Sequence, residues 1–229
     1  EPQGMFVKGN ELYVADTGNS RIVKLVFEND VFTFVSEIKE FTNNGTTEAL
    51  SKPQDIFVDK EGNMYIADTG NCRIVHLDAS GNLVKIITKP DDETVDQKND
   101  FLPQKLVVDS SNRIFTQVQN VNKGFMEFAN DGSFTGFVGA SKVTYNFLQY
   151  LWKMVASQEQ RARMDLFVPT EYSNLCLDSE GFIYATIAQI GDEVTPSEAQ
   201  PIRKLNAKGT DILVRNGYEE PYGDYWWTA

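Results

Sequence analysis

Asp59, Asp109 and Asp178 each close an apolar run, in "DIFVD", "KLVVD" and "NLCLD". If those runs stand side by side, three carboxylates meet near one point, and hard oxygen donors of that kind suit calcium. The same residues have a plainer use. Each opens a turn, "DKEG", "DSSN" or "DSEG", and Asp78 opens another in "DASG", where the aspartate side chain accepts backbone hydrogen bonds. Turn formation covers all four aspartates and calcium covers three, so the turn reading is preferred. A second set of acids, Asp16 and Asp68, sits in the loop "ADTGN", followed five residues later by Arg21 and Arg73. Such pairs can grip a partner or tie their own hairpin. The loop composition also suits a tight turn, with Gly18 and Gly70 expected to tolerate positive φ. The equivalent positions later in the chain are Val118 and Ile187, so no acidic ring is maintained.

The remaining catalytic inventory is thin. His76 is the sole histidine, and its counterparts Lys24, Glu127 and Lys204 are polar, which places it on a solvated rim. A zinc site needs several such ligands together. Cys72 and Cys176 occupy non-equivalent positions, so no disulfide is expected and the redox compartment stays open. No Ser-His-Asp set, CxxC pair or phosphate-cradling glycine loop stands in a convincing context. A net charge of -12 without any basic run argues against nucleic acid. No apolar stretch is long enough to insert in a membrane as a helix.

What positions these residues is a repeat. "YVADTGNSRIVKL", 13–25, returns at 65–77 as "YIADTGNCRIVHL", changed only at Val14/Ile66, Ser20/Cys72 and Lys24/His76. Self-alignment yields four copies, at 2–38, 53–88, 103–140 and 172–215, followed by a tail at 216–229. The second copy divides most clearly, into Ile56–Asp59, Met64–Ala67, Arg73–Leu77 and Leu83–Ile87, with turns between. Runs such as "MYIA" are apolar at successive positions, so both faces of each sheet must be covered. Stacking the sheets radially does this. The expected fold is therefore all-β, a single β-propeller domain of four-stranded antiparallel blades.

The pattern "hYhADTGNxRIhxL", with h apolar, resembles the NHL repeat. The order "KPQDIFVDKEGNMYIADTGNCRIV", "FLPQKLVVD", "QRARMDLFVPTEYSNLCLDSEGFIYAT" and "PIRKLNAKGTDILVRNGYEEP" is similar to secreted bacterial NHL proteins labelled gluconolactonase-like. That resemblance implies an extracellular or cell-envelope location and a ring of five or six blades, of which four lie in this chain. It also implies a calcium-dependent, lactonase-like hydrolase at the central channel. A ring left open exposes sheet edges that invite self-association.

Two departures from the repeat point elsewhere. Between the third and fourth copies Phe147, Leu148, Leu151, Trp152 and Val155 fall at helical spacing, and Ser157 with Gln160 reads as a capping box. A helical insertion over 142–168 is expected there. The loop 187–201 is also long, and strand order puts both insertions on one face. The preferred function is a non-catalytic module engaging a protein or glycan through that face, with no cofactor. Its candidate contacts are Asp16, Arg21, Asp68, Arg73, Arg161, Arg163, Glu171 and Asp192. Lactonase-like hydrolysis in the channel is the alternative.

Overall fold

Apolar runs this short, each ended by an Asp- or Asn-led turn, can form strands but not helices, and successive strands fold back on one another. The computed structural model describes residues 1–139, 172–187 and 202–214. Its first sheet is β1 (Gly4–Lys8), β2 (Glu11–Asp16), β3 (Arg21–Glu28) and β4 (Val31–Ile38). A separate hairpin follows, β5 (Glu40–Asn43) and β6 (Thr46–Ala49), which the repeat does not announce. The second sheet is β7 (Asp55–Val58), β8 (Met64–Asp68), β9 (Arg73–Leu77) and β10 (Leu83–Ile87). The third is β11 (Pro103–Val108), β12 (Ile114–Val118), β13 (Phe125–Phe128) and β14 (Phe134–Val138). The fourth contains β15 (Tyr172–Leu177), β16 (Ile183–Ile187) and β17 (Ile202–Leu205). Every sheet is an antiparallel meander in sequence order.

The Asp-led turns form as their residue types require. Asp59 Oδ1 accepts the Asn63 N–H at 2.8 Å, while Gly62 takes φ +94°. Asp78, Asp109 and Asp178 do the same for Asn82, Arg113 and Phe182. Asn112 supplies the left-handed residue where the third sheet lacks glycine.

Successive residues of one strand feed different interfaces. Ile66 packs with Tyr13, Ala15 and Ile22 between the first and second sheets. Its neighbours Tyr65 and Ala67 pack with Leu106, Ile114 and Met126 between the second and third. Val107, Phe115 and Phe125 meet Tyr172, Leu175 and Ile183 between the third and fourth. All of β8 and β12 is consequently buried, as two-sided apolar strands require. The first strands pack in the series β1, β7, β11, β15, and the two ends of that series are not packed together in this way among the described residues.

The helical insertion expected over 142–168 falls outside the described residues. Among the described residues the only helical turns are the 3-10 turns Thr17–Asn19 and Thr69–Asn71. Residues 188–201 and the tail 216–229 also lie outside them.

Candidate functional site

The duplicated hairpin loop acts on its neighbours. Asp68 is fully buried, and its carboxylate accepts from Ser51 N at 2.7 Å, Asn71 Nδ2 at 2.9 Å and Arg73 Nε at 2.8 Å. Arg73 Nη1 donates onward to Glu48, and its guanidinium lies over the Phe41 ring, so the β5–β6 hairpin is clamped to the second sheet. Thr69 Oγ1 donates to the Pro103 carbonyl of the third sheet at 2.5 Å. In the first copy Thr17 Oγ1 donates to the Pro53 carbonyl at 2.6 Å, and Asp16 pairs with Arg21 at 2.7 Å. In these two copies the loop is thus a latch from one sheet to the next.

Glycine serves this latch differently from the expectation of positive φ. The left-handed residues are Ser20 and Cys72, at φ 52° and 55°. Gly70 is instead required by proximity: a Cβ there would lie 2.4 Å from Ser51 Oγ and 2.7 Å from the Ser51 carbonyl oxygen. Asp68 and Arg73 are therefore bound internally, whereas Asp16 and Arg21 retain partial exposure. Arg161, Arg163, Glu171 and Asp192 lie outside the described residues.

The other feature is a cavity of about 1000 Å³ bordered by β1, β7, β11 and β15. Where these strands begin, one repeat position supplies four different residues, Gly4, Asp55, Lys105 and Asn174. Where they end stand Asp59, Asp109 and Asp178. These three reach the same end of the cavity, yet each carboxylate is turned into its own hairpin. Among the described residues no group of three acids, histidines or cysteines could hold a metal ion.

Asp55 differs from them. It is buried, and Oδ2 accepts the Leu106 N–H of the third sheet at 3.0 Å. Burial pushes its carboxyl up to about 6, against the pull of the Lys105 cation and backbone donors. Lys105 Nζ reaches from the third sheet to the Gln3 carbonyl before the first, at 2.7 Å. Gly4 lets β1 come this close, since a Cβ there would stand 2.4 Å from Asp55 Oδ1. Cys176 also lines the cavity, but burial and the Asp178 charge push its thiol up, away from the nucleophilic thiolate.

His76 is corrected from rim to interior. It is 8% exposed, neither ring nitrogen has a hydrogen-bond partner among the described residues, and the ring stacks on Tyr65 with centroids 4.1 Å apart. Burial, with Lys85 alongside, holds its pKa below the ordinary histidine value against opposing Asp59 and Asp78. The polar residues at its repeat positions misled the reading, because the flat ring fills a slot beside Tyr65.

No protein-family model matches the sequence, and no curated protein does. Solved structures do. A gluconolactonase-like protein superposes with a TM-score of 0.56 at 11% identity, over 92% of this chain and 61% of its own. Streptogramin B lyase gives 0.51 at 13%, over 91% and 52%. A Bacteroides caccae protein of unknown function gives 0.53 at 11%, over 93% and 65%. The chain is a β-propeller. At these identities the likeness establishes the fold alone, and the propeller spans between half and two thirds of the length of these proteins. Its described sheets are four blades, with Thr–Pro latches joining the first to the second and the second to the third.

Proposed function

We propose that this propeller forms the ligand cavity of an enzyme that hydrolyses a small lactone or related ester, with Asp55 as the proton-transferring group. The observation that carries the reading is a buried carboxyl, pushed up to about 6, on the wall of a cavity large enough for a small organic ligand. Such a group is ionised often enough near neutral pH to accept a proton and protonated often enough to return one. In this reading Asp55 takes a proton from the attacking water as its oxygen bonds to the acyl carbon. It then delivers that proton to the departing alkoxide as the ring C–O bond breaks. Lys105 stabilises the oxyanion formed between the two steps. Asn174 supplies an amide to orient the ligand. The likeness to a gluconolactonase-like protein is in keeping with this chemistry.

Calcium, which the resemblance in sequence implies, needs oxygen donors gathered at one point. Asp59, Asp109 and Asp178, each turned into its own hairpin, do not fit that need among the described residues. The other reading, a non-catalytic module gripping a protein or glycan, has less support, because Asp16, Arg21 and Glu37 spend their charges on one another.

The test is turnover of a panel of small aliphatic lactones, followed by acid release. Activity should rise with pH through an inflection near about 6, and Asp55→Asn should reduce it roughly 10²-fold or more without loss of fold. Undiminished turnover by Asp55→Asn, or no turnover of any panel member, would sink the reading.

A further inference from the structure

The four first strands divide the cavity wall into layers. One repeat position opens "GMFVK", "DIFVD", "KLVVD" and "NLCLD" with Gly4, Asp55, Lys105 or Asn174, and another closes them with Lys8, Asp59, Asp109 or Asp178. The three positions between are apolar in every copy, the thiol of Cys176 included. At about 3.3 Å per residue, the two polar ends stand roughly 13 Å apart along the strands.

Packing between the sheets does not close off these middle layers. Phe6, Phe57 and Leu177 border the cavity and stay half-buried, one in each of three successive interfaces. The Phe6 and Phe57 rings meet with centroids 4.7 Å apart. Phe57 also packs against the cluster that Leu177 joins, so the three side chains form one strip. Phe57 follows Asp55 by two residues, which puts it on the same side of β7 and roughly 7 Å further along.

A ligand whose carbonyl sits at Asp55 therefore extends onto an apolar strip. Hydroxyl groups there would meet only the backbone edges of the four strands and the Cys176 thiol, a weak donor. Each methylene placed there is instead withdrawn from water, which is favourable. A polyhydroxylated sugar lactone is matched poorly and an alkyl-substituted lactone well. We infer, resting on the hydrolytic reading for the head group, that the ligand is a lactone or ester bearing an aliphatic chain, and that the chain lies on the strip of Phe57, Phe6 and Leu177.

Titration calorimetry of the 229-residue chain with γ-lactams of increasing alkyl length tests the strip apart from the chemistry, because the ring amide resists hydrolysis. Each added methylene should tighten binding about two- to fourfold. The kcat/KM for the matching lactones, γ-valerolactone to γ-decalactone, should climb in step. Glucono-δ-lactone should be turned over about tenfold less efficiently than γ-octalactone, or worse. Phe6→Ser and, separately, Leu177→Ser should each flatten the dependence on chain length. Circular dichroism identifies a variant that does not fold, the other then decides, and the parent series stands without either. Lactam affinity independent of chain length, or glucono-δ-lactone preferred to the alkyl lactones, overturns the inference whether or not lactones are hydrolysed. So does a chain-length dependence undiminished in both folded variants, or no lactam binding at all. Lactam affinity that rises with chain length while no lactone is turned over upholds the aliphatic strip and sinks the hydrolytic reading alone.

Discussion

Arg73 Nε donates to Asp68 Oδ2 at 2.8 Å with the carboxylate wholly removed from water, while the duplicate pair Arg21–Asp16 stays partly wet. The chain thus carries its own comparison of a buried and an exposed ion pair. Arg73→Leu leaves Asp68 buried without its cation and should cost about 3–5 kcal/mol. Arg21→Leu should cost far less, because solvent screens that pair. Urea unfolding of both variants checks the contrast, and equal losses would contradict it.

The latch gives a second prediction. Thr69→Val keeps the side-chain shape but removes the donor to the Pro103 carbonyl, at a cost of about 1–2 kcal/mol. Gly70→Ala should also destabilise, by about 1–3 kcal/mol, because its methyl meets the Ser51 backbone and the second sheet must shift. Thermal melts of the single variants report both. Stability unchanged in Thr69→Val would mean the bond contributes nothing.

His76 predicts an acid-sensitive interface. Its pKa is lower folded than unfolded, so the unfolded chain binds the proton more readily. Stability is then lost as pH falls below the ordinary histidine value of about 6.5, by up to about 1.4 kcal/mol per pH unit. His76→Phe preserves the stack on Tyr65 and should flatten this slope. Unfolding free energies between about pH 7.5 and 5 measure it. Parallel slopes for both proteins would place the proton elsewhere.

Asp55 predicts the opposite sign. Its carboxyl is pushed up when folded, so the folded state favours the proton, and stability declines as pH rises from about 4 to about 6. Asp55→Asn removes the buried charge while an amide oxygen can still accept from Leu106. The variant should be more stable than the parent by on the order of 1–3 kcal/mol above about pH 7, and nearly equal to it near pH 4. Calorimetry at the two pH values decides this. A variant less stable at high pH would show that the carboxylate is structural.

The repeat made the blades legible because near-identical hairpins can only answer the same packing problem. Strand limits in the second sheet therefore agree with the sequence reading almost residue by residue. The cavity residues were illegible for the converse reason. Gly4, Asp55, Lys105 and Asn174 share one repeat position and have nothing chemical in common, so a search for maintained residues passes over them. Asp55 also ionises unusually only because a neighbouring blade buries it, which no local pattern records. The β5–β6 hairpin did leave a signal, since Asn44-Gly45 takes the doubly left-handed turn that such pairs favour. Thr17 and Thr69 looked like turn residues because their acceptors lie 36 and 34 positions away.

That separation has a temporal meaning. On the ribosome each threonine donor emerges well before the proline carbonyl it will bind, so a sheet is fastened only after translation has delivered the start of its successor. A polypeptide stalled between Thr69 and Pro103 therefore holds a hairpin whose clasp has nothing yet to close on.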